Sequence, residues 1–137
     1  MSQSREWLSG AQRSWFEPPD ILWQRFRGLV TLEVMKWSVE VYREVAASGP
    51  FFGAIDVKDS EITAEARRYM VENTRTRWTR GVVYIGAGSI QRVNTKGMMA
   101  KPLFEARPSF EIIYVDTAEQ AREWIERQRA KQQRSAG

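Results

Sequence analysis

The chain has 137 residues, a formal charge of +4, 42% hydrophobic and 28% charged residues, and neither cysteine nor histidine. That size predicts one domain with a real core, and no run approaches the ~18 apolar residues of a membrane span. The missing residue types exclude Ser-His-Asp triads, cysteine nucleophiles, imidazole acid–base steps and zinc sites of the usual ligands.

The start, Met1-Ser2-Gln3-Ser4-Arg5-Glu6, lacks a cationic segment followed by an apolar one, so a cytoplasmic location is expected. Charge is uneven along the chain: residues 1–66 net −3, residues 67–107 net +7, residues 108–126 net −4, and the last eleven residues net +4. A basic face on the folded body therefore has to come from residues 67–107.

Residues 1–13 read as an N-terminal extension in which Trp7 and Leu8 form either a short packed turn or an extra edge strand. Trp15-Phe16-Glu17 and Ile21–Arg27 then predict a β-hairpin about Pro18-Pro19-Asp20. Gly28 breaks the second strand, and Thr31 is the expected N-cap of a helix from Leu32 to Ser48. In that helix Leu32, Met35, Val39, Tyr42 and Ala46 recur at steps of three and four. Gly49-Pro50 ends it, and Phe51–Val57 reads as a strand buried on both faces.

A polar loop, Lys58 to Thr63, precedes a helix of about Ala64 to Arg77 with Thr63 as N-cap. Gly81–Gly86 is the next buried strand, and Gly88-Ser89 opens a helix running to about Phe104, ended or kinked by Pro102. Phe110–Val115 is a third β-rich run, followed by a helix from Asp116-Thr117 to about Arg127 with Ala121, Trp124, Ile125 and Gln128 inside. Beyond Ala130 the chain is polar and basic without an apolar period, which predicts a disordered tail over 131–137. Trp15, Trp23, Trp37, Trp78 and Trp124 fall in or beside these elements, where their area serves packing, and exposed aromatics near Met98-Met99 would mark a contact surface. The expected fold class is α/β: a single-domain mixed sheet, an N-terminal β-hairpin followed by α-β-α-β-α-β-α.

Over residues 14–130 this order resembles the STAS domain superfamily of anti-sigma-factor antagonists, in its divergent branch similar to CRAL-TRIO domains. The resemblance rests on Phe26-Arg27-Gly28, Gly49-Pro50-Phe51-Phe52, Ile55-Asp56-Val57, the Gly81–Gly86 strand and the Thr117–Trp124 helix start. It implies a bacterial, non-enzymatic signalling domain, SpoIIAA-like, that binds a regulatory protein and needs no cofactor. In the antagonists an Asp-Ser-Ser-Gly motif follows the Asp-ending strand, and its hydroxyl is phosphorylated. This chain has Asp56-Val57 but no such motif; Ser60 and Thr63 stand in the corresponding loop, with Thr63 the better-placed phosphate acceptor. Both also read simply as capping residues.

Asp56, Asp59 and Glu61 cluster at one strand end, yet their spacing matches no calcium loop, and no metal is expected. Gly86-Ala87-Gly88-Ser89 has the context of a phosphate-cradling turn without the remaining motif, so a tight turn is the simpler reading. Arg67, Arg68, Arg75, Arg77, Arg80, Arg92, Lys96, Lys101 and Arg107 read as solvated helix surface or as a face for an anionic partner, phospholipid or acidic protein, with nucleic acid ranked below both. The expected partner surface is Asp56, Asp59, Ser60, Thr63, Arg67 and Arg68 with Gly88, Ser89 and Arg92. The alternative is a small lipid or apolar-ligand module, decided by whether the core encloses an acyl-sized cavity. A homodimer through the edge hairpin is also open.

Overall fold

The computed structural model describes residues 5–88 and 112–136. The chain opens on three antiparallel strands, β1 (Arg5–Ser9), β2 (Gln12–Glu17) and β3 (Ile21–Arg25), followed by the short β4 (Gly28–Val30) and helix α1 (Leu32–Ala46). Next come β5 (Phe51–Asp56), β6 (Ser60–Ile62), α2 (Ala64–Asn73), a single 3-10 turn (Thr76–Trp78), β7 (Thr79–Ile85), β8 (Ile112–Val115) and α3 (Ala118–Ala136).

Six strands form one sheet in the order β1-β2-β3-β5-β7-β8, antiparallel at the β1 side and parallel from β3 to β8. The mixed α/β class therefore holds among the described residues. β5 lies inside the sheet with parallel neighbours on both sides, as its apolar run requires: Phe51, Phe52, Ala54 and Ile55 are all buried. Its alternating side chains feed two cores. Phe51 and Ile55 face α1 and α2, among Leu22, Met35, Val41, Tyr42, Val45 and Met70. Phe52 and Ala54 face α3, among Trp23, Val83, Ile85, Ala121, Trp124 and Ile125. Each fully buried Phe or Ile contributes roughly 1.5–3 kcal/mol.

Both expected N-caps form. Thr31 Oγ1 accepts from Val34 N at 3.4 Å and Thr63 Oγ1 from Ala66 N at 3.1 Å. Several expected boundaries move. The anticipated limit at residue 14 falls inside β2, and of the two readings of Trp7 and Leu8 the extra edge strand holds: β1 pairs with β2 from Arg5↔Phe16 to Ser9↔Gln12. Arg5 and Trp7 both donate to the Glu44 carboxylate on α1, which docks β1 on the helix layer. The loop from Lys58 to Thr63 contains β6, paired in parallel with β4 through Gly28↔Ser60, Leu29↔Glu61 and Val30↔Ile62. α2 ends at Asn73 rather than near Arg77, where the Thr74 N–H and hydroxyl both donate to the Met70 carbonyl.

The tail expected to be disordered is helical through Ala136. Its residues favour helix individually, and Arg129 and Gln132 find partners elsewhere in the fold: Arg129 donates to Asp20, and Gln132 Nε2 to the Arg80 carbonyl at 3.4 Å. The expected helix from Gly88 to Phe104 with Pro102, Met98-Met99, and residues 110 and 111 of the third β-rich run lie outside the described residues.

Candidate functional site

The parallel strands deliver their carboxyl ends to one rim, where open α/β sheets commonly bind ligands. At the β3 and β5 ends this rim is closed by the chain's own polar groups. Phe26 N donates to the Asp56 carbonyl at 2.9 Å, and the chain then turns so that Arg27 faces the Asp56 side chain. Arg27 donates to Asp56 Oδ1 at 3.1 Å and to Oδ2 at 3.0 Å, and Lys58 N donates to Oδ1 at 3.1 Å. Buried Gln12 fixes the Arg27 backbone, accepting from Arg27 N and donating to its carbonyl, both at 2.8 Å.

The β4–β6 ladder continues from this clamp. Gly28 N donates to the Asp59 carbonyl at 2.9 Å, and Thr63 N to the Val30 carbonyl at 3.1 Å. Asp59 takes a left-handed conformation, φ 55°, which its short polar side chain tolerates. Ser60 Oγ donates to the Val57 carbonyl at 2.6 Å, so its hydroxyl braces the turn.

The expected site residues Asp56, Asp59, Ser60 and Thr63 thus line one continuous turn, with half-buried Arg67 and exposed Arg68 on the first turns of α2. Gly88 follows β7 on the same rim. A Cβ on Gly86 would meet Lys58 Cβ at 3.0 Å, and with φ 73° this is the tight turn that needs glycine. Ser89, Arg92, Lys96, Lys101 and Arg107 lie outside the described residues.

Arg27 and Gln12 are the residues that sequence reasoning missed; no local pattern pairs either with Asp56. Leu29 was also missed, and it stands 55% exposed on β4 beside Glu61. Lys58, Glu61, Arg67 and Arg68 form no ion pair among the described residues. No three acidic residues come together as a cation site among the described residues, and Asp56 already has its oxygens taken by Arg27 and Lys58 N.

Compared with protein-family models, curated proteins and solved structures, the chain has no significant match. The site must be weighed on its own chemistry. An internal cavity of about 40 Å³ opens over Gly53 between α1, α2 and the sheet, lined by Tyr42, Ile55, Met70, Trp78, Val82 and Tyr84. That is room for about three waters, far short of an acyl chain. Burial pushes the Tyr42 and Tyr84 hydroxyls well above the usual phenol range, so both stay neutral and supply no phenolate. No described helix is long and apolar enough to cross a membrane.

The basic residues expected to form one face are divided by the fold. Arg67 and Arg68 stand at the start of α2, beside the turn just described; Arg75, Arg77 and Arg80 lie beyond its other end, at the amino ends of the strands.

Proposed function

We propose that the chain is a non-enzymatic, STAS-like domain that binds a regulatory protein partner through the surface running from Lys58 to Arg68 together with Leu29. The closure of the carboxyl rim at the β3 and β5 ends carries this reading. Strands β3, β5, β7 and β8 follow one another in a single direction, and both α1 and α2 lie on one face, so among the described residues no switch-point crevice forms between β3, β5 and β7. The Arg27–Asp56 clamp and the β4–β6 ladder fill the place where such a ligand would sit.

Among the described residues, the stretch from Lys58 to Arg68 presents mixed charge, and Leu29 on the neighbouring strand is a large exposed apolar side chain, a combination suited to another protein. Thr63 caps α2 on that surface, and under the STAS resemblance it stands in the loop that corresponds to the one carrying the switch hydroxyl.

Affinity capture from cells of the source organism tests the reading. The wild-type domain should enrich one protein that the equally folded Arg67→Glu/Arg68→Glu variant loses. Retention by both forms, or enrichment of a lipid and no protein, refutes it.

A further inference from the structure

The rim opposite the candidate site, where β3, β5 and β7 begin, gathers cations from three separate elements. Arg43 leaves the last turn of α1, Arg75, Arg77 and Arg80 lie between α2 and the first residues of β7, and Arg129 and Lys131 belong to the last turns of α3. Asp20, just before β3, accepts from Arg129 and lies 3.8 Å from Arg80, while Gln132 holds the Arg80 carbonyl. On the other side of the sheet, Arg43 and Arg77 wall a shallow depression floored by Ala46, Ala47, Pro50 and Trp78.

These six cations meet two carboxylates in direct ion pairs among the described residues, Asp20 and Glu40. Arg75, Arg77 and Lys131 are exposed and take part in none. The residues at 131 and beyond enter this rim only because α3 continues past the point where the sequence pattern ends.

We propose that this rim seats the domain on an anionic membrane surface. The charge asks for an anionic partner, and the shape decides which. The described depression between Arg43 and Arg77 is shallow and apolar-floored rather than a groove, which fits a flat anionic layer better than a peptide or a nucleic-acid strand. The apolar shelf set between arginines matches the head-group boundary, where phosphates and the first acyl carbons lie side by side. Trp78 is no free stacking platform for a base, since the Arg43 guanidinium lies 5.9 Å from its ring centre. Docked this way, the domain turns its Arg67–Arg68 pole toward solvent, so membrane seating and protein binding use opposite ends.

Vesicle flotation of the full chain tests this, using vesicles of about 30% phosphatidylglycerol in phosphatidylcholine and of phosphatidylcholine alone. Binding is expected to the anionic vesicles only and to be lost near 0.5 M salt, where the screening length falls below the ~8 Å of physiological ionic strength. Arg75→Glu/Arg77→Glu should weaken it roughly tenfold or more, while Arg67→Glu/Arg68→Glu, with the same change in net charge, should leave it within about twofold. The second variant also separates this proposal from the protein-binding one, whose partner it should lose. No flotation at low salt, equal loss in both variants, or tighter binding to duplex DNA or polyglutamate than to the vesicles would overturn the proposal.

Discussion

Arg27 grips Asp56 by both carboxylate oxygens, at 3.1 and 3.0 Å, across 29 residues of sequence. The pair ties the exit of β3 to the exit of β5 and orients the backbone that carries Ser60 and Thr63. Its Asp56 side chain is 23% exposed and its Arg27 side chain 34% exposed, so the pair is partly screened by solvent. Asp56→Ala should cost about 1–2 kcal/mol in urea unfolding. Arg27→Lys should recover less than half of an Arg27→Ala loss, because an ammonium cannot make the two-pronged contact. A double-mutant cycle with additive losses would show that the contact contributes nothing.

Stability on the acid side draws on Glu17. Glu17 accepts from Arg122 at 2.5 and 2.7 Å and from the Trp23 indole at 3.2 Å. These contacts, Arg122 foremost, hold its carboxyl below the ordinary value of 4.5. Because the folded pKa is the lower one, the pair's stabilisation is complete above the unfolded pKa and is lost as pH falls through the folded pKa. Glu17 is 34% exposed and Arg122 46%, so the gap between wild type and Glu17→Gln should stay under about 1 kcal/mol at pH 7. It should shrink as pH drops below about 4.5, measured by denaturant titration at several pH values. A gap that stays constant into acid would remove Glu17 from the account.

Two glycines in the sheet should answer oppositely to alanine. A Cβ on Gly81 would lie 2.7 Å from Trp124 Cη2, and that ring is buried edge-on against Phe52 with ring centres 6.4 Å apart. Gly81→Ala should therefore cost about 1–3 kcal/mol, and Trp124→Phe should relieve part of the loss. At Gly53 the nearest atom to an added Cβ is Val82 Cγ2 at 3.7 Å, an ordinary contact beside the cavity. Gly53→Ala should be neutral or stabilising by up to about 1 kcal/mol. Thermal unfolding of the two variants separates them, and equal losses would contradict the packing.

What the sequence made legible follows from range. β5 is readable because a Gly-Pro stop, four buried apolar residues and a terminal Asp all lie within eight positions, and α1 because its period runs for four turns behind Thr31. β1 is not, because five residues with two charges carry no pattern, and its strand exists through pairing with β2 and the Glu44 contacts. β4 and β6 are three residues each, too short for alternation to register. At the site, Thr63 and Ser60 could be placed from local chemistry, whereas the Arg27–Asp56 clamp depends on where two distant strands end side by side. The end of α3 was hidden for the same reason: Asp20, which accepts from Arg129, lies 109 residues away.

Thr63 separates a capping role from a switching role. Its Oγ1 accepts from Ala66 N at 3.1 Å, and its own N–H donates to the Val30 carbonyl, so the residue joins the β4–β6 ladder to α2. Thr63→Ala should cost about 1 kcal/mol through the lost cap, and Thr63→Ser very little. Thr63→Asp keeps an oxygen acceptor at the same position and adds a negative charge at the helix start, so it should match wild-type stability within about 0.5 kcal/mol. Binding then decides the role. If the protein partner reads this hydroxyl as a phosphate switch, Thr63→Asp and Thr63→Glu should lose the partner while the less stable Thr63→Ala keeps it. Partner binding that instead tracks stability across the four variants would leave Thr63 as a cap and move the recognition surface to Leu29, Lys58 and the α2 arginines.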